Sequence, residues 1–288
     1  MTVVTSTALP ARRPRDGHII DALIAERAPR LAASPLWPVA RPLLYGLLDY
    51  SKARAMAEAI APLSGAAALE HVSALLGLRV SVHGLERLPA AGRVILVCNH
   101  PTGIADGVAV YDALKARRPD IAFYANADAH RIAPRLGEVL IPVEWVEAKR
   151  TRLTLQLTRQ ALEAERPLVI FPSGRLARRG ADGTLRDPPW MASAASLARR
   201  HDTPIIPMHL SGPWSTLFHL FNRVSSELRD ITLFHELLNK RGRAFSLIVG
   251  RPVPPAALDP DPNAAVAALQ TYVETVLPRE PDGGFPCD

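Results

Sequence analysis

His100 stands in the run Val97-Cys98-Asn99-His100-Pro101-Thr102-Gly103-Ile104-Ala105-Asp106-Gly107, directly after the apolar segment Arg93–Cys98 and ahead of a helical stretch. An imidazole is the side chain best suited to take a proton near neutral pH. A nearby carboxylate, Asp106, can hold its tautomer and stabilise the imidazolium, as in a triad without its serine. The plainer alternative is a loop histidine that caps the next helix. A second run, Leu168-Val169-Ile170-Phe171-Pro172-Ser173-Gly174-Arg175, continues to Arg178 and Arg179. There a buried-looking strand runs into a glycine, which lets backbone approach a ligand, and then into arginines that can hold a phosphate by charge-assisted contacts. A solvated basic loop is the alternative. Cys98, two residues before His100, is a rival nucleophile, although strand cysteines are usually buried and inert.

The elements that must carry these residues show in the hydrophobic rhythm. Ile20, Leu23, Ile24 and Leu31 recur at helical spacing, and residues 51–77 read as one helix rich in alanine and leucine. From residue 79 short β-branched or apolar runs take over at 79–84, 93–98, 121–127, 140–145, 167–172, 204–210 and 244–250. Helical stretches lie between most of them, one at 149–165 with Leu153 and Leu157 on one face, and a last helix falls at 262–278. That alternation predicts an α/β fold with a largely parallel central sheet flanked by helices, behind an N-terminal helical layer. In such sheets ligands bind beyond the carboxyl ends of the strands, where Asn99 and His100 fall.

Residues 31–50 are apolar but broken by Pro35, Pro38, Arg41 and Pro42, and they carry Trp37, Tyr45 and Tyr50. The segment is too short and interrupted to span a bilayer. It fits either a membrane interface, where aromatics and arginines are at home, or an ordinary layer packed on the core.

Composition narrows the partners. The 288 residues are 48% hydrophobic and 22% charged, as in a globular chain of one or two domains, with a formal charge of +6. The pI of 9.7 favours an anionic partner: nucleic acid, anionic lipid or a phosphorylated substrate. Aromatics at 6%, without a base-stacking signature or zinc-finger spacing, argue against nucleic acid. Two cysteines, Cys98 and Cys287, form no disulfide framework and suggest a reducing compartment. The start of the chain has no apolar h-region, and no run of about 18 apolar residues occurs, so neither a signal peptide nor a membrane-spanning helix is expected. No His/Cys spacing suggests a metal.

Taken in order, Asn99-His100 with a following aspartate, Phe171-Pro172-Ser173-Gly174 and Pro204-Ile205-Ile206-Pro207 resemble the ordered blocks of the glycerolipid (lysophospholipid) acyltransferase superfamily. That family shows an N-H-x4-D block, an F-P-E-G-T-R block and a late V-P-type block. The resemblance covers residues 79–255. Here five residues rather than four separate His100 from Asp106, Ser173 stands for the glutamate, and Arg175 follows Gly174 directly. Five apart swings a side chain off a shared helix face, so Pro101-Thr102-Gly103 must absorb the extra residue in a loop. The longer spacing and the stretch Phe234–Gly242 are similar to the branch labelled hemolysin-like, some members of which act in ornithine-lipid synthesis.

The resemblance implies direct acyl transfer without an acyl-enzyme and without a cofactor. The donor is acyl-CoA or acyl-ACP, and the acceptor is a lysophospholipid or related lysolipid such as lyso-ornithine lipid. His100 is the implied general base and Asp106 its orienter. Asn99, Thr102, Gly103, Phe171, Pro172, Ser173, Gly174, Arg175 and Arg178 are the implied substrate-binding residues. Backbone N–H groups near Gly103 or Gly174 are candidates for an oxyanion site. Arg131 is a further basic candidate, whereas His209 reads as a packing residue. The expected organisation is a disordered basic 1–17, an N-terminal helical segment 18–78 with an interfacial role open, an acyltransferase domain 79–280 and a loose tail 281–288. The expected location is peripheral, at the cytoplasmic face of a membrane. A non-catalytic lipid-binding protein on the same fold is the alternative.

Overall fold

The computed structural model describes residues 17–143, 148–180 and 184–286. The basic N-terminus, Cys287 and the end of the run at 140–145 lie outside them. Among the described residues nine strands form: β1 (Arg79–His83), β2 (Ile95–Cys98), β3 (Ala122–Asn126), β4 (Leu140–Val143), β5 (Leu168–Ile170), β6 (Arg178–Arg179), β7 (Leu185–Arg186), β8 (Ile205–Ser211) and β9 (Ala244–Val249). The helices are α1 (Ile19–Arg27), α2 (Pro29–Ala32), α3 (Trp37–Leu47), α4 (Tyr50–Ile60), α5 (Gly65–Leu76), α6 (Ile104–Leu114), α7 (Asp128–Ile132), α8 (Ala148–Glu163), α9 (Ser193–Arg200), α10 (Thr216–Val224), α11 (Ser226–Asp230), α12 (Leu233–Leu238) and α13 (Pro262–Thr271).

Seven strands make one sheet in the order β1-β9-β8-β2-β5-β3-β4. Its pairings are parallel except β8 with β9, so β1 and β9 run against the other five. β6 and β7 form a small separate ribbon. β2 lies between β5 and β8, with Val97 beside Ile170 and Pro207. A strand in that place is covered on both faces, which is why Ile-Leu-Val-Cys is apolar throughout rather than alternating. Leu96 and Cys98 enter one core with the N-terminal helices and α6, while Ile95 and Val97 enter the other with α9 and α13.

The chain leaves β2 through α6 on the first face and leaves β5 towards α9 on the second, crossing β2 to reach β8. The loops after β2 and β5 therefore diverge from adjacent strand ends. That is the switch point at which an open α/β sheet leaves a crevice.

The stretch 51–77 is two helices, not one. Pro62 cannot continue α4, and Ser64 opens α5 by accepting from the Ala67 amide. Gly77 closes α5 at φ +52°. The last helix keeps α-geometry only to Thr271, and 272–276 is a π turn. Of the tail read as loose, residues 281–286 are tethered: Arg87 donates to the Pro281 carbonyl at 2.7 Å, and Tyr272 donates to that of Gly283 at 2.8 Å.

The segment 31–50 serves the core on one side only. Trp37, Leu44, Tyr45 and Tyr50 pack inward, and both tyrosine hydroxyls donate to Asp21. Leu36, Val39, Leu43 and Leu47, at helical spacing on the opposite side, are 52–74% exposed. Among the described residues no helix is long and apolar enough to cross a membrane.

Candidate functional site

Gly103 is the residue that lets the loop 101–103 turn from strand into helix. Its φ of 103° and ψ of −144° lie where only glycine is at ease, and an added Cβ would sit 3.1 Å from Leu176 Cδ2. α6 then starts at Ile104 and places Asp106 in its first turn, with the carboxylate folded back under the loop. Asp106 is fully buried and accepts from the Thr102 amide at 2.9 Å, the Gly103 amide at 3.1 Å and the Thr102 hydroxyl. The same carboxylate meets His100 Nδ1 at 2.9 Å. The extra residue between His100 and Asp106 is thus taken up by the loop, as the spacing required.

With Nδ1 engaged, Nε2 is the nitrogen available to a ligand. The His100 ring packs 4.5 Å from that of Phe171, and its side chain keeps 17% exposure. It lines a cavity of about 420 Å³. The cavity wall is mostly apolar: Met56, Ile60 and Val72 from α4 and α5, Val108 from α6, Phe123 from β3, and Phe234 and Leu237 from α12. Gly103, Phe171, Pro172, Gly174 and Leu176 complete the end nearest the histidine. An imidazole backed by a buried carboxylate, at an apolar cavity, is equipped to take a proton from a hydroxyl on a lipid-like molecule.

Several expected contacts take other roles. Asn99 is not on the cavity wall: its side chain exchanges hydrogen bonds with the Leu210 backbone at 2.9 and 2.7 Å, extending the β2–β8 pairing by one residue. Thr102 is buried and committed to Asp106. Ser173 is buried, donates to the Arg175 carbonyl at 2.8 Å and is not on the cavity wall. Arg175 and Arg178 are exposed and off that wall as well. The Arg179 side chain lies outside the described part. The Gly103 amide is spent on Asp106 and the Gly174 amide on the Phe171 carbonyl at 3.0 Å, so neither is a free oxyanion donor in this arrangement.

Arg131 is held by Glu26 at 2.6 and 2.8 Å and by Asp128 at 3.2 Å. His209 does pack inside, its Nδ1 2.8 Å from the Val273 carbonyl, and burial lowers its pKa. Cys98 is fully buried, and burial pushes its thiol well up, away from nucleophilic thiolate.

Asp187 was not among the expected residues. Both its oxygens accept from the His100 amide at 3.1 Å, and Oδ2 also accepts from Trp190 Nε1 at 2.9 Å. The only local hint is the turn-forming Asp-Pro-Pro-Trp at 187–190, far along the chain from His100.

Residues 79–211, which include His100, Asp106 and Asp187, match the model of the Acyltransferase family. The match spans 133 of the 288 residues, so the chain is similar to that family over this stretch. Two relatives bear the name lyso-glycine lipid O-acyltransferase. The one from Phocaeicola vulgatus is 26% identical over 196 residues, 65% of this chain and 68% of that protein. The one from Bacteroides thetaiotaomicron is 25% identical over 215 residues, 73% of this chain and 78% of that protein. The crystal structure of the 1-acyl-sn-glycerophosphate (LPA) acyltransferase from Thermotoga maritima aligns over 91% of this chain and 95% of its own, at 17% identity and a TM-score of 0.46.

Proposed function

We propose that this enzyme is a lysolipid O-acyltransferase that moves a fatty acyl chain from a thioester, acyl-CoA or acyl-ACP, to the hydroxyl of an acceptor. The carrying observation is His100 Nδ1 at 2.9 Å from the buried Asp106 carboxylate, with the ring on the wall of an apolar cavity. His100 Nε2 takes the proton of the acceptor hydroxyl while Asp106 holds the imidazolium. The oxygen attacks the thioester carbonyl and a new C–O bond forms. The C–S bond then breaks, and the proton passes from His100 to the departing thiolate. Products are the ester and free thiol. The acyl chain occupies the cavity, whose hydrocarbon lining stabilises it by about 0.8 kcal/mol per methylene.

For the acceptor we favour a lyso-amino-acid lipid, since both relatives are named for lyso-glycine lipid. The enzyme works peripherally, at the cytoplasmic face of a membrane. The exposed stripe Leu36, Val39, Leu43 and Leu47 supports the peripheral contact, as do Leu220 and Val224 on α10 and the exposed Arg30, Arg41 and Arg223. The test is thiol release from palmitoyl-CoA or palmitoyl-ACP with a panel of lyso-glycine, lyso-ornithine and lysophosphatidic acceptors. Acceptor-dependent release that disappears in His100→Ala supports the reading. Lipid binding with no turnover for any pair would instead mark a non-catalytic lipid-binding protein.

A further inference from the structure

His100 is held by two carboxylates from different parts of the chain. Asp106 grips the ring. Asp187 grips the backbone, with both oxygens 3.1 Å from the His100 amide. Asp187 is itself clamped from the C-terminal helix: its amide donates to Glu274 Oε1 at 2.8 Å, and the Gln270 side chain receives the Trp190 amide at 3.0 Å and donates to the Asp187 carbonyl at 3.3 Å. The His100 carbonyl takes the Ala177 amide at 2.9 Å. The peptide groups on both sides of the His100 Cα are therefore pinned, the first by a buried charge.

We propose that Asp187 is a second positioning carboxylate of the transfer reaction, fixing the His100 backbone, and through it the aim of Nε2, while it is ionised. This rests on the acyltransferase reading. Keeping a carboxylate here is costly to the fold. Burial lifts Asp187 to about 6, with Glu274 adding to the rise, against the opposing pull of Trp190 Nε1, the His100 amide and the His100 ring. Cys98 lies in the same surroundings but stays a neutral thiol. A neutral asparagine would fill the same space with one uncharged acceptor oxygen, and its NH2 group could not accept from the His100 amide as the second carboxylate oxygen does. A carboxylate kept at a stability cost, beside the residue that does the chemistry, is the signature of a group retained for function.

The consequence is an acid limb that depends on two groups. As pH falls through about 6, Asp187 takes a proton and the His100 amide loses its charged acceptor. The logarithm of kcat/KM then falls more steeply than one proton allows.

The experiment uses the full chain with palmitoyl-CoA and a lyso-glycine lipid. Wild-type turnover and its loss in His100→Ala are established first; failure there overturns the acyltransferase reading, not this one. Asp187→Asn is then expected to lower kcat about ten- to a hundredfold with KM for palmitoyl-CoA within threefold, to melt no lower than wild type at pH 7.5, and to show a single-proton acid limb. Trp190→Phe, which removes the indole donor but keeps the ring, is expected to move the acid limb to higher pH, because the ionised Asp187 loses a stabilising hydrogen bond. Wild-type kcat and an unchanged profile in Asp187→Asn overturn the proposal. If Asp187→Asn does not fold, an unshifted acid limb in Trp190→Phe overturns it and a shifted one upholds it.

Discussion

The cavity wall offers a place to block the acyl chain without disturbing the fold. Gly107 lies inside α6 on that wall, and a Cβ built there meets nothing within 4 Å. Gly107→Leu therefore projects four carbons into space that, on the acyl-cavity reading, holds donor methylenes. It also replaces a helix-interior glycine by a good helix former, a gain of roughly 0.8 kcal/mol that guards against misfolding. A displaced acyl chain gives up about as many carbons as the side chain brings. At ~0.8 kcal/mol each, roughly four methylenes amount to about 3 kcal/mol. That is about two orders of magnitude in kcat/KM for a palmitoyl donor. An octanoyl donor, too short to reach the blocked volume, should lose less than threefold. The assay is thiol release across a series of saturated acyl-CoA donors at one acceptor concentration, with a melting curve for each protein. A folded variant that handles palmitoyl and octanoyl donors in the wild-type ratio would refute the assignment of this cavity to the acyl chain. A uniform loss at every length would place the lesion at His100 instead.

Other outcomes follow from the same geometry. His100→Ala should lower turnover by about a hundred- to ten-thousandfold while the protein keeps its melting transition, since a general base contributes on that scale; circular dichroism beside the thiol assay checks it. Cys98→Ala should retain turnover within a fewfold, and Cys98 itself, followed by peptide mapping, should resist thiol alkylation while the protein is folded, because the buried thiol is held protonated. Val39→Asp with Leu43→Asp should abolish flotation with anionic vesicles yet leave turnover of detergent-dispersed acceptor near wild type, both side chains being more than 70% exposed; vesicle binding that survives both changes refutes the interfacial role of α3. Asp187 sets a stability difference with a definite sign. Its pKa is raised on folding, so the folded state gains the proton first, and this group stabilises the fold as pH falls from about 6 towards 3.8. Above pH 7 its ionised form costs about 3 kcal/mol, from roughly 1.4 kcal/mol per unit. Asp187→Asn should therefore melt above wild type at pH 7.5, with the gap closing near pH 4, as read by thermal melts across pH.

Much of this protein was legible in local pattern because local pattern is what builds its sheet. The seven runs became the seven strands of the sheet; central β2 is apolar along its length because it is covered on both faces, whereas edge strand β1 alternates. His100 and Asp106 were readable as a pair because only five residues lie between them, and Pro101, Thr102 and Gly103 state how the loop between them must bend. The break between α4 and α5 was also written locally, at Pro62 and Ser64, but a composition of alanine and leucine concealed it.

What only the tertiary structure decided are the contacts between segments far apart in sequence. Asn99 reads as a site residue from its neighbour His100, yet its partner is Leu210 on an adjoining strand, and that pairing turns it into a backbone staple. Arg131 reads as a free cation until α1 brings Glu26 against it. Asp187 reads as a turn residue until the crossover from β5 to β8 carries it under the His100 amide, where burial and a charge-assisted hydrogen bond give it a role. The cavity likewise belongs to no single segment, being walled by α4, α5, α6, α12 and β3 together. Residue types and spacings determined which groups could react; burial and long-range pairing decided which of them are free to do so.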